Sequence, residues 1–365
     1  MFTRQFSKAL INITAVWLSF WVVGMVLFSN PYIFKLYKEP FKNPMGYRLA
    51  SAISLSQESD QKVVLLLGAS TVREGFDTSI MNGSQSNYFV INGGTSGGTI
   101  LTLPAMVEMV KMSGIHPECI VLGINARMLI NRTSKVHDHG YTDFLHLMSS
   151  LNLSFLRGME EAEKTQTYSH IFKNTIWPYL LPARRLNQLS RFALFKINNQ
   201  FYFDNPNSLE QYMRNKNELL PSPEFIYYDN TRFSSEKLKS YEDRYLEEGM
   251  FEPTNYATPF HLDLLRTEIS RLSKLCNQLI IVEMPEATFS RENFSIHAKT
   301  KMEDVINSFS GEVIFIDHSA SYSDDQFRDI SHMLESTRNK YSQDMVQVLN
   351  KNLVNQDGTQ GREHD

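Results

Sequence analysis

This sequence of 365 residues has few cysteines, little excess charge of either sign and no nucleotide-binding motif in a suitable place. Its two cysteines, Cys119 and Cys276, are too few for a disulfide scaffold or a four-cysteine zinc site. The formal net charge is −4 and the pI is near 6.2, so no overall basic field indicates nucleic acid as a partner. No G-x-G-x-x-G and no P-loop lysine stands in a suitable place, and no cofactor is predicted.

Long apolar runs are also rare, with one exception near the start of the chain. Hydrophobic residues make up 42%, charged residues 21% and the mean hydropathy is −0.30, which excludes a disordered or polytopic membrane chain. Residues 9–28, however, carry no charge. As a helix they would be about 30 Å long, enough to cross a bilayer core. We predict a membrane anchor at residues 9–28; a signal peptide and a buried core helix are the alternatives.

The charges that flank this apolar run leave its orientation open. Two basic residues precede the run and four follow it closely, namely Arg4 and Lys8, then Lys35, Lys38, Lys42 and Arg48. By the positive-inside rule this count favours a cytoplasmic location for the rest of the chain, but so short a leading tail gives the count little weight.

Five short apolar runs rich in β-branched residues predict the strands of a sheet. Their continuous apolarity indicates strands buried on both faces, as in a parallel sheet covered by helices. Helices are predicted at Ile100–Ser113 and at about Asp329–Leu353. This alternation predicts an α/β fold with a flavodoxin-like, doubly wound sheet of five parallel strands, whose ligands bind at the carboxyl ends. The predicted strands are Val63–Leu67, Tyr88–Ile91, Cys119–Ile124, Leu279–Glu283 and Val313–Ile316.

The alternation is interrupted between the third and fourth strands. Residues 126–260 form an insertion far longer than an ordinary connection, with helices predicted at 143–164 and 169–196. Its many aromatic residues favour a cap or substrate subdomain. The predicted divisions of the chain are 1–30 as anchor, 31–60 as linker, 61–125 and 261–353 as the α/β domain, 126–260 as the cap and 354–365 as a disordered tail.

The first two predicted strands end in small residues. The first runs into Gly68-Ala69-Ser70, with a helix predicted from Thr71 onward. A serine there exposes its hydroxyl at the edge of the sheet, where free N–H groups of the helix start can stabilise an oxyanion. Taken alone, this motif more often marks a tight turn and a helix cap. The second strand runs into a loop with four glycines between residues 93 and 98, which lets backbone approach a ligand closely.

Three polar side chains follow the third and fifth predicted strands. Asn125 would bring an amide to the same edge of the sheet, although an asparagine there is also typical of a turn. Asp329 and His332 are spaced to lie on one side of a turn or helix start. The histidine could then take a proton from a serine while the aspartate fixes its tautomer. We predict that these residues converge on Ser70, because the carboxyl ends of parallel strands share one edge.

This set of blocks resembles the SGNH (GDSL-like) hydrolase superfamily. Ser70 in GAS resembles the nucleophile block, Gly94 in NGGTSG the glycine block, Asn125 in GIN the asparagine block, and Asp329 with His332 the final D-x-x-H block. The resemblance covers about residues 61–124 and 279–353 and leaves the insertion unexplained. Three departures mark a divergent member: GAS replaces GDS, Ala126 replaces an aspartate, and Thr337 stands where a glycine often follows the histidine.

The resemblance implies acyl transfer through a covalent serine ester. Ser70, His332 and Asp329 would form the triad, and the N–H groups of Ser70 and Gly94 with the Asn125 amide would hold the oxyanion. An anchor joined to such a domain is similar to membrane-tethered proteins of cell-envelope acylation. That similarity implies an extracytoplasmic domain, an acylated glycan or lipid as substrate, and a multi-spanning membrane acyltransferase as a partner.

Three alternatives to this assignment are open from the sequence. The protein could be a non-catalytic partner that keeps the fold and binds an acyltransferase or polymer. Asp317-His318 is a rival acid/base pair, but adjacent residues in extended backbone diverge. His137 and His139 could be metal ligands, although such histidines in a polar loop are usually solvated, so no metal is predicted.

Overall fold

The structure is a computed structural model that describes residues 61–83, 88–94, 98–129, 231–247, 257–294 and 296–357, with residues 12, 14–16, 18 and 19 near the amino terminus. Apart from those six, the described residues belong to one compact unit formed by Arg48–Phe144 and Pro206–Asp365. The predicted helices at 143–164 and 169–196 and the histidines at 137 and 139 lie outside the described residues.

Five parallel strands form one sheet in the order β2-β1-β3-β4-β5. This confirms the prediction of an α/β fold with a parallel five-stranded sheet, and the strand order is compatible with a flavodoxin-like fold. The bounds differ from those predicted by at most one residue at an end: β1 is Lys62–Gly68, β2 Tyr88–Asn92, β3 Cys119–Ile124, β4 Gln278–Glu283 and β5 Val313–Asp317.

The three central strands are apolar and buried almost throughout because helices cover both faces of the sheet. In β1 every residue after Lys62 is buried, and in β3 every residue is buried. Side chains along a strand alternate between faces, so Val64 and Leu66 pack on one face while Leu65 and Leu67 pack on the other. Continuous apolarity therefore identified these strands correctly.

Eight α-helices can be placed among the described parts of the unit. α8 (Glu335–Asp357) contacts both α1 (Ser70–Gly75) and α2 (Thr78–Met81), and α5 (Pro259–Leu272) contacts both α3 (Leu103–Ser113) and α7 (Ile296–Asn307). The other two are α4 (Ser235–Glu247) and α6 (Thr288–Phe294). Buried side chains of α1, α2 and α8 share a core with one face of the sheet.

Two predicted helix starts need correction. Ile100–Thr102 is a 3-10 turn, and α3 begins at Leu103. The last helix begins at Glu335, six residues after the predicted start at Asp329, and continues to Asp357, beyond the predicted end. The reason for the late start is local, because the Asp329 side chain accepts the backbone N–H groups of Ser331 and His332 and competes with helical hydrogen bonding.

Two glycines let α1 pack unusually close to the sheet. Gly68 and Gly123 pair in register on β1 and β3, and a Cβ on Gly123 would lie 2.2 Å from a methyl group of Val72 in α1. Gly68 has a φ of +149°, and a Cβ there would lie 2.4 Å from the Gly123 carbonyl oxygen. Any larger residue at either position would push α1 away from the strand ends.

A buried ion pair joins the α1–α2 segment to α8. The Arg338 guanidinium donates to the Asp77 carboxylate at 2.6 Å, and both side chains are almost fully buried. The Asp77 N–H also donates to Ser342 on α8, and the Phe76 ring stacks on Tyr341 with 5.2 Å between centroids. These contacts hold two segments about 260 positions apart in the chain in one fixed arrangement.

The described residues of the predicted anchor, 12, 14–16, 18 and 19, are helical, and Val16 and Leu18 are exposed. Within the part of the chain that the structure describes, no helix has both the length and the apolarity needed to cross a membrane.

Replacing Arg338 by methionine should lower the free energy of unfolding by about 3–5 kcal/mol, because Asp77 would be left as a buried charge without its guanidinium. Adding Asp77→Asn should restore part of this loss, since the asparagine can still cap α2 without a charge. Urea unfolding followed by circular dichroism measures both effects. The exposed pair between Arg266 and Asp263 supplies the control, because Arg266→Met should change stability by about 1 kcal/mol or less.

Candidate active site

Ser70 is the first residue of α1 and lies directly beyond the carboxyl end of β1. The helix N-cap is Ala69, which has no side chain able to cap the first turn. The N–H groups of Val72 and Arg73 donate to the Ala69 carbonyl at 3.1 Å, and helix geometry leaves those of Ser70 and Thr71 without an intrahelical acceptor. Ser70 is also only partly buried. Ser70 is therefore not the N-cap of α1, and its side chain is not sealed in the core.

Asp329 and His332 lie in a tight turn between β5 and α8. The Arg328 N–H donates to the His332 carbonyl at 2.8 Å, and Phe327 and Met333 form an antiparallel bridge that closes the turn. The buried Ser290 hydroxyl donates to the Ile330 carbonyl at 2.7 Å and fixes the tip of the turn. The turn is thus held by backbone bonds at its base and by a side chain at its tip.

The structure brings Ser70, His332 and Asp329 into one hydrogen-bonded chain. His332 Nε2 lies 2.9 Å from Ser70 Oγ, and His332 Nδ1 lies 2.9 and 3.0 Å from the two carboxylate oxygens of Asp329. Asp329 Oδ1 also accepts the N–H groups of Ser331 and His332, both at 2.9 Å. This is the arrangement in which a histidine can take the serine proton while a carboxylate fixes its other nitrogen.

The charges around this chain set the protonation of its members. Burial by itself would raise the pKa of Asp329, but His332, the N–H of Ser331 and the Arg328 guanidinium together hold it well below its usual range. Burial by itself would lower the pKa of His332, but the carboxylates of Asp329 and Glu74 outweigh burial and Arg127 and raise it. The site therefore favours an ionised aspartate and a histidine that readily holds a proton.

Asn125 follows β3 and is almost fully buried. Its Oδ1 accepts the Met128 N–H at 3.2 Å, which caps the 3-10 turn Ala126–Leu129. Its Nδ2 has no hydrogen-bond partner among the residues that the structure describes. The turn thus uses only the oxygen end of the amide. A buried donor without a partner is costly unless a ligand uses it.

Gly94 follows β2 and packs against the first turn of α1. A Cβ on Gly94 would lie 2.5 Å from the Arg73 nitrogen, so only glycine fits at this position. Its N–H donates to Asn92 Oδ1 at 2.9 Å, while Asn92 Nδ2 reaches carbonyls of Val72, Arg73 and Phe76. The N–H predicted to hold an oxyanion is therefore bound to Asn92 in this structure.

The sequence reasoning missed the charged residues around His332, among them Glu74 and Arg127. Glu74 is buried, and its Oε1 lies 3.8 Å from His332 Nε2. Its position four residues after Ser70 in a predicted helix was a usable signal, because such residues share a helix face. Arg127 donates to the Ser331 hydroxyl at 3.0 Å, beside His332. No spacing in the sequence connects Arg127 with that turn.

The last part of the predicted insertion contacts the turn that carries Asp329 and His332. Phe233, just before α4, donates its N–H to the carbonyl of Arg328 at 2.9 Å, and the Arg328 guanidinium lies 5.8 Å from the Phe233 ring centroid. Phe233 therefore contacts the turn that carries Asp329 and His332.

Asp317 and His318, the alternative acid/base pair at the end of β5, bind other side chains. Asp317 accepts from Lys299 at 2.8 Å, and His318 Nδ1 lies 3.1 Å from the Tyr341 hydroxyl oxygen. Oxygen atoms of Glu283, Glu303 and Asp317 come within 4.8 Å of one another, which is a spacing that could hold a metal ion. The Lys299 ammonium, however, already pairs with all three carboxylates and supplies the positive charge.

Neither a scan against protein-family models nor a search of curated proteins finds a match for this chain. Its function must therefore be inferred from the chemistry of the site.

The pair of Asp329 and His332 should stabilise the fold in a defined pH window. The pKa of Asp329 is lowered in the folded state, so its contribution is present above its unfolded pKa of about 3.9 and is lost as pH falls through the folded value. The pKa of His332 is raised, so its contribution is full below about 6.5 and is lost as pH rises through the folded value.

We therefore expect His332→Gln to reduce the free energy of unfolding most between about pH 4 and 6.5, and less at about pH 9. Urea unfolding at several pH values measures this difference. The exposed His116→Gln is the control for loss of an imidazole, and a His332→Gln effect that is constant with pH would contradict the assigned charges.

Proposed function

We propose that this protein is a membrane-anchored serine esterase or O-acyltransferase that acts on acyl esters. The observation that carries the proposal is the 2.9 Å contact between His332 Nε2 and Ser70 Oγ, with Asp329 bound to the other ring nitrogen. Ser70 and His332 are 262 positions apart and meet at the carboxyl edge of a parallel sheet, where ligands of such sheets bind.

In the proposed reaction, Ser70 Oγ attacks the ester carbonyl carbon and its proton passes to His332 Nε2. The carbonyl electron pair moves to oxygen, and when it returns the ester C–O bond breaks and Nε2 gives its proton to the leaving oxygen. The product is an acyl group on Ser70. Water as the second acceptor gives hydrolysis, and a sugar hydroxyl gives acyl transfer. Asp329 orients His332 and stabilises the imidazolium.

The proposed oxyanion hole consists of the N–H groups of Ser70 and Gly94 and the Asn125 amide. Support is strongest for Asn125, whose buried Nδ2 has no partner among the described residues. Support for Ser70 comes from its position at the start of α1. The Gly94 N–H would have to be shared with Asn92 Oδ1 or released from it as the negative charge develops.

We further propose membership of the SGNH hydrolase superfamily. The strand order, the serine after β1, the asparagine after β3 and the aspartate and histidine after β5 support this assignment. The anchor at residues 9–28 would place the domain outside the cytoplasm, with an acylated envelope glycan or lipid as substrate and a multi-spanning acyltransferase as partner. Phe233, which belongs to the insertion, contacts Arg328 beside the site, and this contact supports a substrate-facing role for the insertion.

A fluorophosphonate probe tests the proposed nucleophile. We expect the wild type to be labelled and Ser70→Ala to be unlabelled, with a loss of about 10⁴-fold or more in ester hydrolysis. Ser308→Ala, an exposed serine at the end of α7, is the matched control and should be labelled as the wild type is. Intact folded wild type that stays unlabelled would favour the alternative, a non-catalytic partner.

Asn125→Ala tests the oxyanion hole. The substitution should reduce kcat by about 10²–10³-fold with a smaller change in KM, because the amide is expected to bind the oxyanion more strongly than the substrate carbonyl. Steady-state hydrolysis of a chromogenic acetyl ester provides both constants. An effect on KM alone would assign Asn125 to substrate binding and not to the oxyanion.

A further inference from the structure

Glu74 places a second carboxylate beside the histidine of the site. It stands four residues after Ser70 in α1, and its Oε1 lies 3.8 Å from His332 Nε2. This is the same nitrogen that lies 2.9 Å from Ser70 Oγ. Asp329 contacts the opposite nitrogen. His332 therefore has a carboxylate near each of its ring nitrogens.

Two arginines hold the Glu74 carboxylate in place. Arg73 donates to Oε1 at 2.8 Å and Arg328 donates to Oε2 at 3.0 Å. Arg328 directly precedes Asp329, so this clamp also links α1 to the turn that carries the acid and the histidine. The carboxylate is oriented before any substrate binds, and little reorganisation is needed when charge appears on His332.

The charges near His332 come from three elements of the fold. Asp329 and Arg328 lie in its own turn, Glu74 and Arg73 lie on α1, and Arg127 lies in the 3-10 turn after β3. Burial and Arg127 oppose a proton on the ring, and the two carboxylates favour it with a net raised pKa. The pKa of Glu74 itself is lowered, because His332, Arg73 and Arg328 outweigh its burial, so the carboxylate is charged.

We propose that Glu74 is a positioning residue that stabilises the imidazolium of His332 from its Nε2 side during proton transfer. This presupposes the proposed serine chemistry, in which Nε2 carries the proton after Ser70 attacks and before the leaving oxygen accepts it. During that interval a negative charge 3.8 Å from Nε2 lowers the energy of the charged ring. Glu74 exchanges no proton and forms no bond in this step.

The test follows the rate of Ser70 labelling by a fluorophosphonate as a function of pH. In Glu74→Gln, which keeps the shape and removes the charge, the acid limb should move to lower pH and the limiting rate should fall about tenfold. The NMR titration of His332 should move in the same direction. Its signal among ten histidines is assigned by its absence in His332→Gln.

The matched control is Glu74→Asp, which keeps the charge and shortens the side chain. If charge is what matters, the aspartate variant should keep the acid limb closer to its wild-type position than the glutamine variant does. If Glu74 only fills space, the isosteric glutamine should behave as wild type and the shorter aspartate should not, and that result would overturn the proposal. Asp263→Asn, an exposed carboxylate on α5, should change nothing.

Two further measurements keep the test decisive. If Glu74→Gln does not fold, Arg73→Gln takes its place and should move the His332 titration to higher pH, because a neutralising charge beside Glu74 is lost. No movement or the opposite movement would reject the proposal. The NMR titration needs no substrate, so it tests Glu74 even if Ser70 is never labelled, a result that would count against the proposed function alone.

Discussion

The buried ion pair between Asp77 and Arg338 holds together the two segments that supply the serine and the histidine. Asp77 follows α1, which begins at Ser70, and Arg338 lies in the first turn of α8, shortly after His332. Removing one partner would leave a charge in the core, so the two segments are strongly constrained to stay in register. The short contact between Ser70 and His332 depends on that register, although neither Asp77 nor Arg338 touches Ser70 or His332.

The charged side chains of the site lie in pairs of opposite sign, because a buried charge without a partner would be costly. Glu74 lies between Arg73 and Arg328, and Asp329 lies between Arg328 and His332. Because the same arginine contacts both acids, the charges around His332 belong to one connected network of largely buried groups. The fold that positions Ser70 therefore also sets the ease with which its neighbouring histidine takes a proton.

The sheet could be predicted because strands buried on both faces have a continuous apolar pattern. Of the eight described helices, only α1, α3 and α8 were predicted. The start of the last helix could not be predicted, because the pattern does not reveal that the Asp329 side chain takes two backbone N–H groups of its own turn. The same competition that shortens the helix aims the carboxylate at His332. The prediction failed at the place where local hydrogen bonding serves the site and not the helix.

By itself the sequence determined the strands and the polar residues that follow them, Ser70, Asn125, Asp329 and His332, because strand ends of a parallel sheet share one edge. Only the tertiary structure decided which groups face them. Glu74 meets Arg328 across 254 positions, Arg127 reaches Ser331 across 204, and the Gly94 N–H turns to Asn92. The contact of Glu74 depends on how closely α1 approaches the sheet at Gly68 and Gly123, a distance set by three-dimensional packing that no spacing along the chain encodes.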